Sequence, residues 1–203
     1  MKPAVLVLVT GLVAAAEPRL FYSKSFPGST PAYVQITLDR TGAVEYREAP
    51  DDDLPVKFQL KDAETQEVFG LAEKLGHFKE KLEAPVKVAF MGTKTFRWED
   101  GAEKSEVQFN YTQNLDGQAL ADWFERMSES AQREIDLERS VKYDKLGVVR
   151  SLLLLQIAMD QKRILGAEQY LPMLDRIIKN SSYMHTAQER ASEIEDAIRA
   201  VKP

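Results

Sequence analysis

Two histidines, His77 and His185, stand far apart in the chain, and no HExxH or comparable close pair occurs that would hold a zinc ion. His77 follows Gly76 where a helix is expected to stop, a place where an imidazole suits the negative helix terminus, so its predicted role is structural. His185 opens the last helical stretch and carries no further signal. With no cysteine there is no thiolate nucleophile, cysteine zinc site or disulfide. The sequence has no G-x-S-x-G elbow, S-x-x-K motif, Walker phosphate loop or G-x-G-x-x-G fingerprint, and "MGTKT" lacks phosphate-loop spacing. No catalytic, metal or cofactor site is therefore assigned, and no cofactor is implied.

Carboxylates remain. Asp51-Asp52-Asp53 lacks the spaced oxygen ligands and glycine of an EF-hand loop and reads as a solvated acidic linker, while Glu99-Asp100 reads as turn chemistry. A glycosidase-type hydrolase needs two carboxyls at a defined separation across a cleft, and no spacing here marks such a pair. The aromatic set Phe96, Trp98, Phe109 and Tyr111 is the candidate binding surface if exposed. Its one-faced placement predicts instead the buried side of a sheet.

The elements that position these residues follow from periodicity. "EPRLFYSKSFPGSTP", rich in proline, predicts an extended lead-in to a sheet. In "AYVQITLDRTGAVEYRE" the alternation of Val34, Ile36 and Leu38, then Val44 and Tyr46, predicts a hairpin. With Gly42 left-handed in the loop, Leu38 pairs with Val44 and Ile36 with Tyr46. A short strand through Phe58 leads to a helix capped by Asp62. "VKVAF" and "KTFRW" then predict strands, with a turn at Asp100-Gly101 that sets Trp98 opposite Glu103 and Phe96 opposite Ser105. Asp116 is expected to cap the next helix, in which polar residues dominate after Met127, predicting an exposed or bent end.

The last third reads as helical. "GVVRSLLLLQIAMD" predicts a core helix packed on both sides, Pro172 marks a helix start, and Ala187, Ala191, Ile194, Ile198 and Val201 form a stripe on the final helix. The expected fold class is α+β: an antiparallel sheet built from two β-hairpins packed with helices, followed by a C-terminal helical hairpin or small bundle. The expected division is a signal peptide over 1–16, an α+β unit over 17–137 and a helical extension over 138–203.

The signal peptide is inferred from Lys2, the largely apolar stretch from Ala4 to Val13, and Ala14-Ala15-Ala16 at the cleavage position before Glu17. This predicts an exported protein, periplasmic or secreted, that is not an integral membrane protein after cleavage, since the apolar stretch is shorter than a span. A net charge of -5 makes nucleic acid a poor partner. "FPGSTPAYVQITLDRTGAVEYRE", followed by a helix and a second hairpin, resembles an uncharacterised exported bacterial domain family of unknown function over roughly residues 20–127. The resemblance implies no activity and no site residues. The resulting expectation is an exported, non-catalytic domain that binds a protein or envelope component. The alternatives are a carboxylate-dependent hydrolase and a self-associating structural envelope protein.

Overall fold

The computed structural model describes residues 17–200. The expected signal segment and Val201 lie outside the described residues. The elements in chain order are β1 (Arg19–Ser25), β2 (Tyr33–Asp39), β3 (Ala43–Arg47), β4 (Val56–Gln59), α1 (Asp62–Lys74), β5 (Thr93–Asp100), β6 (Glu103–Phe109), α2 (Leu115–Tyr143), α3 (Val148–Asp160), α4 (Leu171–Ile178) and α5 (His185–Ala200). The strands form one antiparallel sheet in the order β4-β3-β2-β1-β5-β6, and the fold is α+β as expected.

The first hairpin has the expected register, Ile36 opposite Tyr46 and Leu38 opposite Val44. Gly42 sits at φ +85°, and the Asp39 carboxylate accepts from the N–H groups of Thr41 (2.9 Å) and Ala43 (3.1 Å), closing the turn. The second hairpin departs from expectation by two residues. Trp98 faces Ser105 and Phe96 faces Val107, because Gly101-Ala102, with Gly101 at φ +57°, makes the turn and Asp100 pairs with Glu103. A slip of two leaves every side chain on its expected face, so burial alone does not distinguish the two registers.

The proline-rich lead-in is extended as expected and goes further, holding an interior strand: β1 pairs antiparallel with both β2 and β5. Its prolines, Pro18, Pro27 and Pro31, all fall outside the ladder, where no N–H is needed. Conversely "VKVAF" is not a strand. Val86, Val88 and Phe90 are exposed in a loop, because β1 and β6 already occupy both sides of β5.

The helix caps each shift. α1 begins after Lys61, whose N–H donates to the Glu64 carboxylate at 3.0 Å; an ammonium has no lone pair, so only this half of a capping box can exist. Asn114, not Asp116, caps α2 by accepting from Gly117 N–H at 3.1 Å. α2 then runs unbroken for 29 residues, and its polar second half buries Ala131 in the sheet core and Leu137 and Val141 beneath the C-terminal helices, with Ser130 buried between the two. α3 is not packed on both sides: Val148, Leu152, Leu155 and Ala158 are buried, while Leu153 and Ile157 are exposed. The expected stripe on α5 is buried at Ala187, Ala191, Ile194 and Ile198.

Two apolar cores share α2. One packs the sheet against α1 and the stretch of α2 from Leu120 to Ala131. The other gathers α3, α4 and α5 around Leu137 and Val141. Leu165, from the α3–α4 connection, inserts into the first core, and a Cβ on Gly166 would come within 2.8 Å of the Phe58 ring. Among the described residues no helix is long and apolar enough to cross a membrane.

Candidate functional site

The aromatic set lies on the inner side of the sheet, as its one-faced placement predicts. Phe96, Trp98 and Phe109 are buried, and Tyr111 is half-buried with its carbonyl accepting from Ala84 N–H at 2.8 Å. Phe96 packs against Phe78, Phe109 and Phe124. His77 lies just past the end of α1 and has a structural role: at φ +53° it lays its ring on Trp98, centroids 4.1 Å apart and 16° from parallel, while its carbonyl accepts from the Ser105 hydroxyl. Asp52 closes its own turn by accepting from Leu54 N–H at 3.0 Å, and no group of three or more metal-ligating side chains occurs among the described residues.

The site that tertiary structure builds lies where α2 crosses the ends of β1 and β2. A cavity of about 300 Å³ is floored by Tyr22 and Val34, walled by the loop around Phe26, Ser29 and Pro31, and roofed by α2. The loop is fixed by Phe26 N–H to Ala32 O (2.9 Å) and by the Ser29 hydroxyl, which lies 2.7 Å from Phe26 O and 2.6 Å from Pro31 O. The helix turns its 125–133 segment to the cavity, presenting Glu125, Ser128, Glu129, Gln132 and Arg133. Strand alternation puts Tyr22 and Lys24 on the inner face, Tyr22 in the floor and Lys24 at the mouth.

Tyr22 is the unusual member. Its ring stacks on Phe124 (4.8 Å, 6°), it is 1% exposed, and its hydroxyl has no hydrogen-bond partner. Burial, with a smaller contribution from the negative charge of Glu125, pushes its phenol far above the ordinary range, so it stays a neutral O–H donor and acceptor. Buried polar groups are nearly always paired, which makes this hydroxyl a marker. By contrast Tyr46 nearby is satisfied, accepting from Gln132 Nε2 at 3.1 Å and donating to Glu48 at 3.1 Å.

The charges around the mouth are mutually engaged. Lys24 Nζ lies 3.6 Å from Glu125, and Glu129 accepts from Arg163 at 3.0 Å. Lys94, paired with Lys24 across the strands, is 7% exposed and donates to Asn110 O at 3.0 Å. Its pKa is lowered by burial and then by the neighbouring Lys24 charge. The arrangement can orient a small polar molecule through one unclaimed hydroxyl and a rim of fixed charge. Sequence reading missed it, although lysines at inward-facing register positions 24 and 94 were a visible signal.

One carboxyl elsewhere is drawn toward neutrality. Burial, then the Glu138 charge, raises Glu134 to about 7; Glu138 itself is paired with Lys142 at 2.6 Å. Comparison with family models found no match for the chain, and comparison with curated proteins found none.

Proposed function

We propose that this is an exported, non-catalytic binding protein, with the Tyr22 cavity receiving part of a protein or envelope component. The observation that carries the reading is the buried, unpartnered Tyr22 hydroxyl on the floor of a cavity of about 300 Å³, a size that suits a small ligand or one residue of a larger one. Such a hydroxyl regains its hydrogen bond when a carbonyl, carboxylate or sugar oxygen enters. Export rests on the leader-like pattern before Glu17 and on the resemblance of residues 20–127 to an exported bacterial domain family.

NMR titration of the chain from Glu17 to Pro203 with N-acetylalaninamide and with N-acetylglucosamine tests the site. Saturable shifts of the Lys24, Ser128 or Gln132 amides with either probe, lost in Tyr22→Phe, are expected; no shift with either, or shifts that persist in Tyr22→Phe, count against it. For export, N-terminal sequencing of protein recovered outside the cytoplasm should begin at Glu17.

A second reading, self-association, is favoured by one observation. Leu153 and Ile157, one helical turn apart on α3, are both exposed. If it holds, sedimentation at micromolar concentration shows a dimer that Leu153→Lys converts to monomer. A carboxylate-dependent hydrolase would need two carboxyls with opposed roles across one cleft, and Glu134 supplies a single raised group.

A further inference from the structure

Beside α2, a second cavity of about 240 Å³ opens between the start of α1, the α3–α4 connection and the end of α5. Three cations line it, Lys61, Arg126 and Lys162, and among the described residues none of them has a carboxylate oxygen within 4.0 Å. Two carboxylates also border the space. Glu64 is occupied by the Lys61 N–H at the α1 cap, and Glu168 is exposed at the rim. The remaining wall is apolar, with Met159, Ile164 and Ile198.

Two details separate this cavity from an ordinary surface dent. Arg126 lies over the Trp123 ring at 4.4 Å, and its Nε–H is buried with no acceptor. A guanidinium N–H out of water and unpaired is a donor awaiting an anion. Lys162 occupies the left-handed position of a Schellman motif, φ +58°, with Lys162 N–H on Met159 O and Arg163 N–H on Ala158 O, both 2.8 Å. Glycine is the usual occupant there. Lysine gives up backbone ease and delivers an ammonium to the cavity.

We propose that this cavity binds the anionic head, carboxylate or phosphate, of a short amphiphile whose tail lies against Met159, Ile164 and Ile198. The head takes its hydrogen bond from Arg126 Nε and its charge balance from Lys61 and Lys162. The apolar wall contributes by burying methylenes. The site is independent of the Tyr22 cavity and shares no lining residue with it.

Titration of the full chain with octanoate and with octyl phosphate, followed by Trp123 emission, tests the proposal, with octylammonium and octanol as controls. A saturable change with octanoate, octyl phosphate or both is expected, tells the two head groups apart, and weakens as salt rises; octylammonium should give none. Arg126→Gln should weaken binding at least tenfold. Should that variant fold poorly, Lys162→Gly serves, because it relieves the left-handed position, raising the melting temperature, while weakening binding several-fold. Tyr22→Phe should leave this binding unchanged, which separates its failure from that of the first site. Equal binding of octanol or octylammonium, no saturable change with either anion, or undiminished binding in both Arg126→Gln and Lys162→Gly overturns the proposal.

Discussion

Tyr170 donates its hydroxyl proton to the main-chain carbonyl of Ser130 at 2.6 Å, and both residues are fully buried. The Ser130 hydroxyl in turn accepts from Leu165 N–H at 2.8 Å and donates to Arg126 O at 2.9 Å. These bonds lie where the two cores meet on α2 and fasten the C-terminal helices to the helix that covers the sheet. Ser130→Ala leaves the Leu165 N–H buried and unpaired, at a cost of about 1 to 3 kcal/mol, whereas Tyr170→Phe removes a donor from a carbonyl with another role in the helix and costs about 1 kcal/mol. Urea unfolding of the two variants should rank them in that order.

Gly42 permits the first hairpin to dock as well as to turn. A Cβ there would sit 2.7 Å from Thr65 Oγ1 and 2.9 Å from Leu60 O, and φ is +85°. Gly42→Val combines a forbidden backbone with a clash at the start of α1 and should cost about 3 kcal/mol or more. Calorimetry should show the melting temperature falling by roughly 6 to 12 °C.

Glu134 makes stability depend on pH in an uncommon direction. Its folded pKa of about 7 lies above the ordinary 4.5, so between those values the native state holds more protons than the unfolded chain. Its contribution is therefore fully present below pH 4.5 and is lost as pH rises through 7, by about 1 to 2 kcal/mol once solvent screening is allowed for. Glu134→Gln should flatten the stability profile across that window, measured by denaturant midpoint at constant ionic strength.

Tyr22→Phe should behave unlike most core changes. The hydroxyl has no protein partner, so its removal should leave stability within about 0.5 kcal/mol or raise it slightly. A loss above about 1.5 kcal/mol in urea unfolding would mean that the hydroxyl is satisfied in solution and that the cavity floor has no vacancy to offer.

Local signals carried the first hairpin in full. Gly42, the Asp39 side chain and the alternation of Ile36, Leu38, Val44 and Tyr46 lie within a short stretch and specify one another. The second hairpin was legible to within its period: a displacement of two residues preserves the faces, and the turn geometry at Gly101-Ala102 chose between registers. Alternation in Val86, Val88 and Phe90 promised a strand that has no place in the sheet, and Leu20 and Tyr22 formed one that the surrounding prolines concealed. Alternation describes a segment's two faces but not which neighbouring edge is free, and that is decided by pairings remote in sequence. The Tyr22 cavity was illegible for the same reason, since it is the gap left where α2 passes over strands about a hundred residues earlier in the chain.

By itself, then, the sequence determined the α+β class, the alternating inner face with Phe96, Trp98 and Phe109, the last helix stripe, and the lack of familiar reactive motifs, because these are properties of neighbours along the chain. Tertiary structure alone decided that β1 sits inside the sheet, and that the Tyr22 hydroxyl and the Arg126 Nε–H, on residues lining two cavities, have no hydrogen-bond partner. Burial and hydrogen-bond satisfaction are set by what else packs against a residue, and here the long α2 helix contributes to both cavities.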